Sequence, residues 1–256
     1  MAMRPSSGAN PVVFVGPTLR VSEAERILKA EYLPPAAQGS FVEAVQQFRP
    51  PAILLIDGVF QGEPAVRHKE ILWTMAQGIP VFGSASMGAL RAAELWRYGM
   101  VGIGLIFRWY RRYQFTPDDA VAVLHGPPEI GSPPLTQSLV DLRIIFRLAE
   151  KNGVIGNTFR HELVNAARCL NFRDRTIPEI ANVAFRSCPM RPADRQAILE
   201  GLSDLRYSQK REDALTALYL FGKLLSENRV SPPASPQFRL TNAFVRDLQD
   251  AGLSIS

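Results

Sequence analysis

Ile79-Pro80-Val81-Phe82-Gly83-Ser84-Ala85-Ser86-Met87-Gly88-Ala89-Leu90-Arg91-Ala92-Ala93-Glu94-Leu95 carries the pattern that decides the fold. A short run of strand-forming residues ends in small and polar ones. A helical stretch follows at once, with Leu90, Ala93 and Leu95 among its apolar positions, and it is expected to span residues 87–98 and stop at Gly99. The same unit stands upstream. Ala52-Ile53-Leu54-Leu55-Ile56 reads as a buried strand closed by Asp57-Gly58, followed by a helix through Ile71, Leu72 and Met75 that ends at Gly78. Val12-Val13-Phe14-Val15 is another such strand; Gly16-Pro17-Thr18 turns the chain, and Ser22 and Glu25 are spaced as a capping box for a helix reaching about residue 30. Glu31-Tyr32-Leu33 is a short edge strand in this reading. Strand and helix in strict alternation predict an α/β fold, a parallel sheet with helices on both faces.

Past Gly126-Pro127-Pro128-Glu129-Ile130-Gly131-Ser132-Pro133-Pro134 the strand signal disappears. Helical patterns follow at about 136–151, 157–171, 176–186, 192–203, 209–226 and 240–250. The expected organisation is a flexible N-terminus over 1–11, an α/β core domain over 12–128, and a mostly helical C-terminal region over 135–256.

Composition narrows the function. The 256 residues are 46% hydrophobic and 21% charged, which fits a globular chain. No apolar run approaches the roughly 20 residues that cross a bilayer, and no secretory signal is readable at the start, so no membrane association and a cytoplasmic location are expected. Cys169 and Cys188 lack metal-ligand spacing and read as reduced packing residues; neither a metal nor a cofactor is expected. The net charge of +5 rests on 24 Arg against 5 Lys, and arginine forks suit carboxylates and phosphates. The excess is spread over both halves, so nucleic acid is not an expected partner. Phe107-Arg108-Trp109-Tyr110-Arg111-Arg112-Tyr113 is the one aromatic and basic cluster, and it reads first as a mostly solvated surface segment.

In an open parallel sheet, ligands gather beyond the carboxyl ends of the strands. Three loops lie there: Gly16-Pro17-Thr18, Asp57-Gly58-Val59-Phe60 and Gly83-Ser84-Ala85-Ser86-Met87-Gly88. Ser86, set between strand and helix among small residues, partly matches a nucleophile elbow; it also suits an ordinary helix N-cap or an anion site. A serine nucleophile needs a base, and among His68, His125 and His161 the best placed is His68, which Asp57 would orient. Lys69 and Glu70 beside it read as a helix-surface pair. Arg91 and Glu94, three apart on one helix, are spaced to pair, or Arg91 to meet a substrate carboxylate. Asp118 and Asp119 suit a helix cap better than a hard cation, and His161 lacks the second histidine a zinc protease needs. No phosphate-binding loop or dinucleotide fingerprint is present.

Together, Val13-Phe14-Val15-Gly16-Pro17-Thr18-Leu19, Ile56-Asp57-Gly58-Val59-Phe60, Val66-Arg67-His68-Lys69-Glu70-Ile71-Leu72 and residues 83–95 resemble the TfuA-like family. Gly99-Met100-Val101-Gly102-Ile103-Gly104 and Asp118-Asp119-Ala120-Val121-Ala122-Val123 continue the resemblance, which covers about residues 12–125. The resemblance implies a partner of a YcaO enzyme in peptide backbone thioamidation, as for trifolitoxin-like peptides. It implies that sulfide comes from a thiocarboxylated ThiS-type sulfur-carrier protein, with the precursor peptide as an optional third partner. The corresponding hydrolase would use Ser86 as nucleophile, His68 as base and Asp57 as its orienting carboxylate. Gly16, Thr18, Gly58, Ser84, Met87, Gly88 and Arg91 would bind substrate or the oxyanion. The alternative is a non-catalytic adaptor that docks on the YcaO enzyme and channels sulfide or shapes its active site; a third reading is a small-molecule hydrolase.

Overall fold

The computed structural model describes residues 8–59, 62–113, 116–127, 133–230 and 238–255. The expectation of a flexible segment at 1–7, and Phe60 of the second loop, lie outside these residues. Five parallel strands, β1 (Val12–Phe14), β2 (Glu31–Leu33), β3 (Ile53–Leu55), β4 (Val81–Ser84) and β5 (Val101–Ile103), form one sheet in the order β2-β1-β3-β4-β5. Val12 pairs with Glu31 and Ile53, Ile53 with Val81, and Phe82 with Val101. The order reverses between β1 and β3, which makes the space beyond their carboxyl ends the topological switch point of a doubly wound sheet.

The chain divides into two compact units, residues 1–114 with 210–256, and residues 115–209. In the first, alternate strand residues face opposite ways, as a pleated sheet requires. Val13, Leu54 and Phe82 join Ala24 of α1 (Val21–Ala24) and Ala214, Ala217, Leu218 and Phe221 of α10 (Gln209–Ser226) in one apolar cluster. Phe221 meets Phe82 edge-on at 5.0 Å, and each buried side chain of this size contributes roughly 2 kcal/mol. On the other face, Phe14 stacks on Phe41 of α2 (Ser40–Phe48) at 5.1 Å, and α4 (Met87–Leu95) lies directly on the strands. The helix α10, expected within a C-terminal helical region, is therefore a covering helix of the sheet.

Three local expectations change. The Ser22–Glu25 capping box does not form: α1 is one turn long, with Arg20 at its N-cap and no side-chain cap. The segment 107–113, expected to be mostly solvated, lies largely in helix α5 (Leu105–Arg112), where Arg108, Arg111 and Arg112 are exposed, as is Tyr113 after it, but Phe107 and Tyr110 are buried, and β5 precedes the helix. Glu70 is not a surface partner of Lys69. It is 1% exposed at the start of α3 (His68–Ala76) and accepts backbone N–H bonds from Arg67 (2.7 Å), Phe41 (3.1 Å) and Gly39 (3.2 Å), tying the starts of α2 and α3 together.

Burial pushes the Glu70 carboxyl up to about 7, against the pull of those three donors. Because the folded protein then holds this proton more tightly than the unfolded chain, Glu70's contribution to stability falls as pH rises from about 4.5 to about 7. Urea titrations of wild type and Glu70→Gln across that window are expected to diverge, the wild type losing roughly 3 kcal/mol relative to the variant. Parallel pH profiles would refute the assignment.

The second unit contains α6 (Leu139–Lys151), α7 (Asn157–Cys169), α8 (Ile177–Ser187) and α9 (Pro192–Asp204). Ser138 and Thr176 cap α6 and α8 by accepting from Asp141 and Glu179 N–H, as their sequence positions suggest. Phe159 and Phe185 stack at 5.2 Å, and the buried Arg175 is held by Asp119 Oδ2 (2.8 Å), Asp119 O (2.9 Å) and Ala167 O (3.0 Å). Asp119 thus closes an ion pair within this unit. Cys169 is exposed rather than packed, and both cysteines are free. The last helix, α11 (Asn242–Asp250), belongs to the first unit, where Gln38 donates to Asp247 O at 2.7 Å.

Candidate functional site at the strand ends

The loops after β1, β3 and β4 meet at one end of the sheet because their strands are neighbours. Asp57, 4% exposed, leaves β3 and reaches under the β1 loop. Its Oδ2 accepts from Gly16 N (2.9 Å) and Thr18 N (3.1 Å), and its Oδ1 accepts from Thr18 Oγ1 (2.5 Å). Three donors on one buried carboxyl leave its hydrogen-bonding needs met by the β1 loop. Asp57 is thus a clamp on the loop at the switch point and does not orient His68.

The β4 loop is tighter. Ala85 adopts φ 63°, a left-handed conformation that costs a non-glycine residue about 1–2 kcal/mol, and it is fully buried, so the surrounding packing sustains it. Ser86 follows as the N-cap of α4 with φ −110° and ψ −120°, neither helical nor extended, and its hydroxyl makes no cap hydrogen bond. Met87 N–H, first in the helix, has no carbonyl partner among the described residues. Ser86 is half-buried, while Met87 is buried against Gly58, whose added Cβ would lie 2.7 Å from Met87 Cγ. Ser84 points inward: it is fully buried, with Oγ 2.9 Å from Ile103 O and 3.1 Å from Asp213 O. It fastens β4, β5 and α10 and is shut off from any substrate.

His68 stands elsewhere. It is exposed at the start of α3, and its Nε2 lies 2.7 Å from Glu94 Oε2, near the far end of α4. Arg91 NH1 donates to the same oxygen at 2.8 Å and its Nε to Val66 O at 3.1 Å, so its guanidinium is held by protein partners. Burial raises the Glu94 carboxyl, but the hydrogen bonds from His68 and Arg91 and the charge of Arg91 outweigh it and hold the group below its usual range. Eight residues separate Ser86 from Glu94, about 12 Å of helix rise. The carboxylate that pairs with His68 is Glu94. Ser86, Gly16, Thr18 and Gly58 share the strand-end rim, Met87 and Gly88 pack beneath it, and Arg91 and His68 lie along the flank of α4.

Two carboxylates escaped the sequence reading. Glu94 was visible as a partner of Arg91, but nothing local tied it to His68. Asp213 sits over a hundred residues from its partners: its two oxygens accept from Leu105 N (2.9 Å) and Ile106 N (2.8 Å), capping α5 from α10. Gly104, at φ 100°, admits this cap, since a Cβ there would lie 2.4 Å from the Asp213 carboxyl.

The family described as TfuA-like protein matches residues 57–176, just under half of the chain, starting at the clamp aspartate and taking in the Ser86 turn. Over this stretch the chain is similar to the TfuA-like family. The match begins at the second of the three loops and continues into the helical unit, ending in α6–α8 territory at residue 176. No curated protein matches the chain. Among the described residues, no helix is long and apolar enough to cross a membrane, and no three His, Cys, Asp or Glu side chains gather as metal ligands.

Proposed function

We propose that this TfuA-like protein supplies sulfur to a YcaO enzyme in peptide backbone thioamidation, releasing sulfide by hydrolysing a thiocarboxylated ThiS-type carrier protein at the Ser86 turn. The observation that carries the reading is Ser86 itself, a half-buried hydroxyl with no cap bond, beside the unpartnered Met87 N–H at the positive end of α4. Attack of Ser86 Oγ on the carrier's terminal acyl carbon breaks the C–S bond. The serine proton ends on the departing sulfur as hydrosulfide, and Met87 N–H steadies the oxyanion. Water then opens the acyl-serine and returns the carrier's carboxylate. His68, polarised by Glu94 rather than Asp57, is the base in this scheme, and the distance along α4 requires water or the carrier tail to connect it with Ser86.

That separation favours a second reading. With Asp57 satisfied by the β1 loop and His68 by Glu94, the strand ends also suit a non-catalytic adaptor that docks on the YcaO enzyme and channels sulfide. Sulfide release from a thiocarboxylated carrier, measured without the YcaO enzyme, separates the two. The hydrolase predicts turnover by wild type and a loss of tenfold or more in Ser86→Ala and in His68→Ala, with unchanged circular dichroism. Turnover that survives both substitutions would overturn the Ser86 site, and a folded wild type that binds the YcaO enzyme but releases nothing would establish the adaptor.

A further inference from the structure

Between Glu94 and Asp118 the chain carries four arginines, Arg97, Arg108, Arg111 and Arg112, and no carboxylate, which accounts for +4 of the net +5. The fold gathers them on one side of the first unit, Arg97 on the short 3-10 turn Trp96–Tyr98 after α4 and the other three on α5, the two elements that precede and follow the edge strand β5. None of the four has an ion-pair partner among the described residues, whereas Arg67, Arg91, Arg160, Arg175, Arg191, Arg211 and Arg229 all do. Apolar surface lies among them: Trp96 is 39% exposed, Tyr98 55%, Val101 44%, Leu105 44% and Tyr113 53%. Arg111 stacks over the Trp96 ring at 4.3 Å and Arg97 lies 5.4 Å from it, so the guanidinium groups are held over an aromatic face with their N–H edges available.

We propose that this surface docks an extended acidic segment of a partner polypeptide, its carboxylates meeting Arg97, Arg108, Arg111 and Arg112 and its apolar side chains covering Trp96, Val101 and Leu105. Unpaired guanidinium groups select anions. The exposed aliphatic side chains and β5, an edge strand with no further strand paired to it among the described residues, select a polypeptide over a nucleic acid, because bases stack on aromatic rings and gain nothing from Val101 or a strand edge. The surface is distinct from the strand-end rim and stands whether or not the protein releases sulfide.

The test titrates the whole protein with a fluorescein-labelled twelve-residue peptide of alternating Glu and Ile, followed by polarisation and by Trp96 fluorescence, with a single-stranded oligouridylate as the competing probe. Arg111→Ser with Arg112→Ser is expected to weaken peptide binding tenfold or more and to flatten its salt dependence. Removing the same charge with Arg20→Ser and Arg26→Ser is expected to change it less than twofold. Trp96→Phe is expected to abolish the fluorescence response. Absence of peptide binding, an equal loss in both double variants, or tighter binding of oligouridylate than of peptide would each overturn the proposal, the last in favour of a nucleic-acid surface.

Discussion

Gly88→Ala is expected to cost this protein about 4 kcal/mol or more of stability, a fall of roughly 10 °C in Tm, or to prevent its folding. The reason is a contact between backbones. A Cβ at position 88 would lie 1.8 Å from Leu55 O and 2.6 Å from Leu55 C, and a Cβ on Gly83 would lie 2.2 Å from Gly88 O. A flexible side chain can swing away, but a strand carbonyl in a paired ladder cannot, so α4 has to lift from β3 and β4 by more than an ångström. That would loosen the buried Ala89, Ala92 and Leu95 together. Gly153, with open space around it, is the control for context; at φ 74° its change to Ala is strained by about 1 kcal/mol without any clash. Thermal and urea unfolding of the two variants checks this, and a Gly88→Ala protein within 1 kcal/mol of wild type would refute the close packing of α4 on the sheet.

The glycines that make this contact were legible as turn markers, and so were the strands around them, because a buried parallel strand is a continuous apolar run and a helix announces its stop with glycine. Even the weak edge strand Glu31–Leu33 is present. What stayed hidden is long-range. Val101-Gly102-Ile103 has too few side chains to look like a strand; Gly102 within it and Gly104 just after it are there because Phe107 of α5 and the Asp213 carboxyl occupy the space a Cβ would need. The stripe Ala214, Ala217, Leu218 and Phe221 is visible as a helix face, but periodicity cannot say whether a face meets another helix or a sheet. Here it meets Val13, Leu54 and Phe82, some 130 to 200 residues away.

The same limit governs the candidate site. Sequence reasoning finds the three loops, because strand ends in an open sheet are where polar residues have work to do, and it finds Ser86 as the residue at the sharpest of the turns. It cannot assign partners across loops. Asp57 and His68 flank one strand end and invite a triad; the chain between them instead carries His68 out to α4, while Asp57 turns back to the N–H groups of a loop more than thirty-five residues earlier. Hydrogen bonds to buried carboxylates are decided by which donors would otherwise go unsatisfied, and Gly16 and Thr18 N–H at the end of β1 are such donors.

Asp57→Ala is accordingly expected to lower stability by about 3 kcal/mol, since it leaves three donors of the β1 loop without their acceptor, whereas His68→Ala, at an exposed position, is expected to change it by less than about 0.5 kcal/mol. Double-mutant cycles turn this into a test of connectivity. If Asp57 is a clamp and Glu94 the partner of His68, the effects of Asp57→Ala and His68→Ala on unfolding free energy and on any sulfide release add. Those of Glu94→Gln and His68→Ala do not add, because either change breaks the same 2.7 Å contact. A triad through Asp57 requires the reverse, with Asp57→Ala producing no further loss of turnover once His68 is gone. Strong coupling between positions 57 and 68, with additivity between 68 and 94, would mean that the working form of the site differs from the one described, with His68 released from Glu94 and carried toward the strand ends; additivity at 57 would leave Asp57 its one task, to hold the loop that borders Ser86.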